Sequence, residues 1–198
     1  MKRRLVVAAL LAYPLQLLAG NQIYEPLADS VRQRLSRLVA DRAPASLNFR
    51  SSQDGQRWLD AMEKRLARRM PDRKQRLELL RAVHYEATRS RLDPQLVLGL
   101  IEVESGFRKY AVSLAGARGY MQVMPFWVKL IGQRSHNLFH LRTNLAYGCA
   151  ILRHYLDVEN GDYWRALGRY NGSLGKAEYP NLVLAAWKGR WKYDGPTA

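Results

Sequence analysis

Apolar side chains recur every three or four positions along most of the chain, and no long stretch alternates as a half-buried strand would. The pattern predicts a mainly α protein with little or no β structure. Val31, Leu35 and Leu38 define one face of a first helix. The stretch 41–56, which holds Pro44, Ser51, Ser52 and Gly55, reads as a loop. Trp58, Met62 and Leu66 mark a second helix, with Lys64, Arg65, Arg68 and Arg69 on its other face and Pro71-Asp72 as its stop. Leu77, Leu80, Val83 and Ala87 share one side of a third, over 73–89. Asp93-Pro94 starts a fourth: Asp caps free backbone N–H groups, and Pro at the first helical position needs no N–H partner. That helix should end at Gly106. The segment 106–119 carries three glycines and no sustained period, so an irregular loop or small hairpin is expected. Pro125 then opens a short helix with Phe126, Trp127, Val128, Leu130 and Ile131. Three more helices are predicted over 143–157, 163–169 and 181–188, running into an aromatic tail of Trp187, Trp191 and Tyr193.

The first twenty residues differ from the rest. Lys2, Arg3 and Arg4 precede a nearly continuous apolar run from Leu5 to Ala19 that ends in small residues, the layout of a secretory signal peptide. The run is short for a span of about 20 residues, and Pro14 interrupts it. Cleavage near Ala19 or Gly20 is expected, with an uncleaved anchor as the alternative, and either places the chain in the periplasm. The single cysteine, Cys149, lies far from this segment, so a lipid-modified N-terminal cysteine is not available. It also excludes an intrachain disulfide and fits a small buried side chain in a helix. At 198 residues the chain suits one compact domain with an N-terminal extension. The organisation expected is a signal peptide over 1–20, a helical region over 21–75 and a catalytic domain over 76–198.

Charge narrows the partners. The 32 Lys and Arg against 17 Asp and Glu give a net charge of +15. The excess is spread along the chain, without a basic tail, a clustered patch or a nucleic-acid reading module. It argues for an anionic partner, a nucleic acid, a membrane surface or an acidic polymer such as the bacterial wall, and its even spread reads best as a generally basic surface.

One carboxylate stands out. On a wheel of about 100° per residue, Leu96, Val97, Leu100 and Ile101 fall within an arc of roughly 140°, and Glu104 lands near its middle. Glu102 lies roughly 160° away, toward solvent. An acid in an apolar stripe is costly unless paired or protonated. The negative end of the helix dipole adds to that cost. Both effects raise a pKa, as a general acid near neutral pH requires. A Glu paired with a buried Arg, or exposed at a fraying end, would also fit the wheel.

The residues around Glu104 carry a resemblance. Glu104-Ser105-Gly106-Phe107, then Tyr110-Ala111-Val112-Ser113, then Gly116 through Pro125, resemble the catalytic core of soluble-type lytic transglycosylases, in the superfamily of lysozyme and goose-type lysozyme. Gly161-Asp162, Ala166-Leu167 and Tyr170-Asn171-Gly172-Ser173 resemble that family's closing motif. The likeness covers about 76–182 and implies a lysozyme-like helical domain. It implies that Glu104 is the catalytic acid and base, that Ser113, Gln122 and Met124 line the sugar groove, that Tyr170 faces the Glu and that Asn171 is its polar neighbour. Gln and Asn can both donate to and accept from N-acetyl amides and hydroxyls. Met124 and Tyr170 would also serve as core residues, and Ser113 as a turn residue.

Two departures lie near the groove: Tyr120 stands where the family usually has Leu, and Tyr-Asn-Gly-Ser replaces the commoner Tyr-Asn-Ala-Gly. The segment before residue 76 matches no recognisable module. Ordinary glycosidases use two carboxyl groups, and no clear second one is evident, since Asp157, Glu159 and Asp162 fall where helices end and start. The resemblance implies a different course: Glu104 protonates the bond between N-acetylmuramic acid and N-acetylglucosamine, and the sugar's own C6 hydroxyl closes a 1,6-anhydro ring. No metal or cofactor is expected. His136 and His140, spaced i, i+4, have no third ligand and are expected at the surface. Peptidoglycan strands are the expected partner of a monomer, with envelope-machinery proteins as further candidates. A goose-type muramidase and a catalytically silent wall-binding component remain open.

Overall fold

Helix starts are set by side chains that satisfy free backbone N–H groups. In the computed structural model, which describes residues 22–41, 43 and 45–196, Ser51 accepts from the Asp54 amide, Asp72 from Gln75, Asp93 from Gln95 and Asp162 from Arg165. The helices among the described residues are α1 (Asp29–Ala40), α2 (Ser52–Leu66), α3 (Arg73–Arg89), α4 (Pro94–Ser105), α5 (Phe126–Ile131), α6 (Leu141–Val158), α7 (Tyr163–Asn171) and α8 (Glu178–Lys188). Extended pairing among them is confined to two isolated bridges, Val112 with Arg118 and Arg118 with Val123. The fold is mainly α. The expected signal segment lies outside the described residues, as does Pro44.

Two boundaries differ from expectation. The loop after α1 ends at Ser51, not at Gln56. The Ser51 hydroxyl accepts the Asp54 amide at 3.1 Å, and this cap outweighs the weak helix propensity of Ser52 and Gly55. The last helix begins at Glu178 because Pro180 sits in its first turn, where no intrahelical N–H bond is lost.

The fourth helix is the centre of the molecule. Every residue from Gln95 to Ile101 is buried, so the helix is covered nearly all round and not along one stripe. It packs against α3 and, most extensively, against α8. Gly99 makes the second contact possible: a Cβ there would lie 3.0 Å from the backbone N of Trp187 and 3.3 Å from the carbonyl of Val183. At the other end Gly106 adopts φ 57° and its N–H bonds the Glu102 carbonyl at 3.0 Å, which stops the helix directly after Glu104 and Ser105.

The loop over 106–125 is held against the core by α6. Asn144, fully buried, accepts the Met121 amide at 2.8 Å and donates to the carbonyls of Arg118 and Leu138 at 2.8 and 2.9 Å. Arg118 and Val123 exchange both backbone bonds, at 3.0 and 3.1 Å. The helices before residue 76 are part of the same packing, with α1 against α5 and α6 and α2 against α3.

Candidate active site

Glu104, in the last turn of α4, is 4% exposed. Its Oε1 accepts a hydrogen bond from the Tyr179 hydroxyl at 2.5 Å. Among the described residues nothing hydrogen-bonds to Oε2. Burial is the dominant influence and pushes the carboxyl pKa up to about 8, against the Tyr179 bond, which lowers it. At neutral pH the group is therefore mostly a carboxylic acid. With Tyr179 donating to Oε1, the acidic proton belongs on Oε2.

Two clefts meet at this residue. One, of about 490 Å³, is lined by Arg69, Glu102, Arg108, Leu182 and Arg190 besides Glu104. The other, of about 500 Å³, is lined by Arg108, Lys109, Tyr110, Ser113 and Gln122 besides Glu104. Glu104 and Arg108 belong to both, so the acid lies at the middle of a two-ended groove. Arg108 is fixed by a 2.9 Å bond from its Nε to the Ser105 carbonyl, at the negative end of α4.

Glu102 is not directed to solvent. Its side chain is 12% exposed and engages Arg69 at 2.8 Å, Arg190 and the Trp191 indole N–H at 2.7 Å. The wheel put this face toward solvent, but the turn after α2 and the C-terminal tail cover it. It is the other carboxylate lining the clefts among the described residues, and it is paired with two guanidinium groups.

Of the remaining expected residues, the structure brings Ser113 and Gln122 to Glu104 in the second cleft. The Ser113 hydroxyl also accepts the Ala117 amide at 3.1 Å. Gln122 adopts φ 47°, a costly conformation for a residue with a Cβ. It is fixed by bonds from Nε2 to the carbonyls of Ala111 and Gly119, at 3.1 and 2.9 Å. Met124, Tyr170 and Asn171 line neither cleft. Met124 is half-buried, and its amide donates to Oε1 of Gln22 at 3.2 Å. Burial above all, and then the Glu104 charge, push the Tyr170 pKa up, and its hydroxyl donates to the Met121 carbonyl at 2.8 Å. Asn171 is buried at the end of α7.

The tyrosine bonded to Glu104 is thus Tyr179, which sequence reasoning did not single out. Its place depends on the close approach of α4 and α8 at Gly99, and Tyr179-Pro180 looked like a helix boundary. Arg108, next to the Glu104 motif, was likewise passed over as part of a general basic surface. His136 bonds the Tyr147 hydroxyl at 2.8 Å.

Known proteins share this arrangement in sequence. The family model described as transglycosylase SLT domain matches residues 81–181. A protein named transglycosylase from Enterobacteria phage PRD1 is 38% identical over 100 residues, 47% of this chain and 37% of its own length. Membrane-bound lytic murein transglycosylase C of Actinobacillus pleuropneumoniae serotype 5b (strain L20) is 50% identical over 48 residues, 24% of this chain and 13% of its own. The same-named protein of Glaesserella parasuis serovar 5 (strain SH0165) is 59% identical over 34 residues, 17% and 9% respectively. The chain therefore spans little more than a third of the phage relative and a much smaller part of the others. The family model covers half of this chain, including Glu104, both bridged segments of the loop and Tyr179. The chain belongs to the transglycosylase SLT domain family.

Proposed function

We propose that this protein is a peptidoglycan lytic transglycosylase that cleaves the β-1,4 bond between N-acetylmuramic acid and N-acetylglucosamine and leaves 1,6-anhydro-muramic ends. The observation that carries this reading is the buried carboxyl of Glu104 at the middle of the groove, with Oε2 free of hydrogen bonds and no unpaired carboxylate beside it among the described residues. In the first step Oε2–H of Glu104 protonates the glycosidic oxygen as the bond to the muramic C1 breaks. The carbonyl oxygen of the adjacent N-acetyl group supports the positive centre at C1. In the second step the Glu104 carboxylate takes the proton of the C6 hydroxyl as O6 bonds to C1. The acid is regenerated and no water is consumed. Tyr179 holds Oε1 through both steps and keeps the carboxyl from rotating.

Ser113, Gln122, Met124, Tyr170 and Asn171 are proposed as the substrate-side residues, the last three acting from behind the loop. Arg108, Lys109, Arg69 and Arg190 make the groove basic, which suits a strand bearing lactyl and peptide carboxylates. The expected signal segment supports a periplasmic location for the enzyme. The test is a murein gel: clearing by the wild type and none by Glu104→Gln, with both folded, supports the reading. Clearing by both variants removes Glu104 as the acid, and clearing by neither leaves a wall-binding component.

A further inference from the structure

Basic residues are spread evenly along the sequence, but the fold gathers five of them around one cavity. It measures about 650 Å³ and lies between α1, the end of α3 and the second half of α6. Arg34, Arg37, Arg89, Arg91 and Arg153 line it, and Asp157 is the one carboxylate among them. No residue of its wall lines either cleft at Glu104, so it is a separate place on the molecule.

The available carboxylates do not satisfy these guanidinium groups. Asp157 is shared by Arg34 at 2.9 Å and Arg153 at 2.8 Å. Arg89 is engaged by Glu86 and, at 3.4 Å, by Asp41. Arg37 donates from Nε to the Gln33 carbonyl at 3.4 Å, and neither it nor Arg91 has a carboxylate partner among the described residues. Ser90, in the same wall, is buried, and its hydroxyl has no hydrogen-bond partner among the described residues. The cavity thus holds donors in excess, and a concave surface of one charge sign draws in the opposite ion. A carboxylate has two oxygens in one plane and is satisfied by one guanidinium fork, whereas a phosphate group displays its oxygens tetrahedrally and accepts from several sides. Here the guanidinium groups converge from α1, from the end of α3 and from α6. We propose that this cavity is a binding site for a phosphate group. The inference stands independently of the reading of the groove.

Calorimetric titration of the protein with inorganic phosphate, at fixed ionic strength so that general screening stays constant, tests the site. The wild type should bind phosphate, and acetate should bind much more weakly. Arg37→Gln combined with Arg91→Gln should weaken phosphate binding roughly tenfold or more, the effect of losing two charge-assisted contacts. Arg50→Gln combined with Arg68→Gln removes the same charge from exposed positions outside the cavity and should leave binding unchanged. Phosphate should raise the melting temperature of the wild type and of this control, but not that of the Arg37/Arg91 variant. Sedimentation with vesicles of phosphatidylcholine and phosphatidylglycerol separates the sources. Vesicle binding that the Arg37/Arg91 variant alone loses identifies a lipid headgroup, and phosphate binding without vesicle binding identifies a soluble phosphate compound. Absence of phosphate binding in the wild type overturns the proposal. So does equal loss in both double variants, or acetate binding as tight as phosphate.

Discussion

The Tyr179 hydroxyl donates to Oε1 of Glu104 across 2.5 Å, joining the start of α8 to the end of α4. This bond favours the carboxylate, whereas burial of the site favours the acid, and burial wins. The balance leaves a group that is protonated at neutral pH yet not so weak an acid that it cannot release its proton.

Tyr179→Phe removes the hydrogen bond that lowers the Glu104 pKa. The alkaline limb of kcat/KM, expected near pH 8 for the wild type, should move to higher pH, and kcat should fall as the carboxyl loses its orientation. A pH profile of glycan cleavage checks both. An unmoved limb would detach Tyr179 from the acid.

Glu104→Gln should stabilise the protein, but only over part of the pH range. The unfolded chain releases this proton near the ordinary value of 4.5 and the folded chain near 8. Between these values the folded state holds more protons, so stability falls as pH rises through the window. Melting temperatures of wild type and variant should nearly coincide at pH 4 and diverge up to pH 8, with the variant higher. A constant difference across that range contradicts the raised pKa.

Glu102→Gln should behave oppositely. It leaves Arg69 and Arg190 without their carboxylate and loosens the tail at Trp191. The melting temperature should fall at neutral pH, while the alkaline limb of activity stays in place. A shifted limb would make Glu102 part of the acid–base chemistry.

Gly99→Val should disturb the site from a distance. Its Cβ would press on the Trp187 backbone, which cannot yield like a flexible side chain, and overpacking of this kind costs roughly 1–3 kcal/mol or more. Denaturant unfolding should show that loss, and cleavage should fall further than stability alone explains, because α8 carries Tyr179.

The course of α4 was legible because its signals are local: Asp93-Pro94 at its start, Gly106 at its end and Glu104 among Leu96, Val97, Leu100 and Ile101. The motif around Gln122 was legible as a family resemblance. What covers each face was not. Periodicity reports which side of a helix avoids water, but Glu102 is shielded by Arg69, in the turn after α2, and by Arg190 of the tail, and charged partners leave no apolar pattern. Tyr179 reaches the site only through packing between segments 75 residues apart.

The claim that this single acid directs an intramolecular closure has one direct measurement, the mass of the muropeptides released from sacculi. A C6 hydroxyl held beside C1 outcompetes water through effective concentrations reaching roughly 10⁵ M or more in well-oriented cases. The expected products carry 1,6-anhydro-muramic ends, one water lighter than the products of a hydrolase run alongside. Reducing ends at the full hydrated mass would contradict it and make the protein a muramidase using the same Glu104.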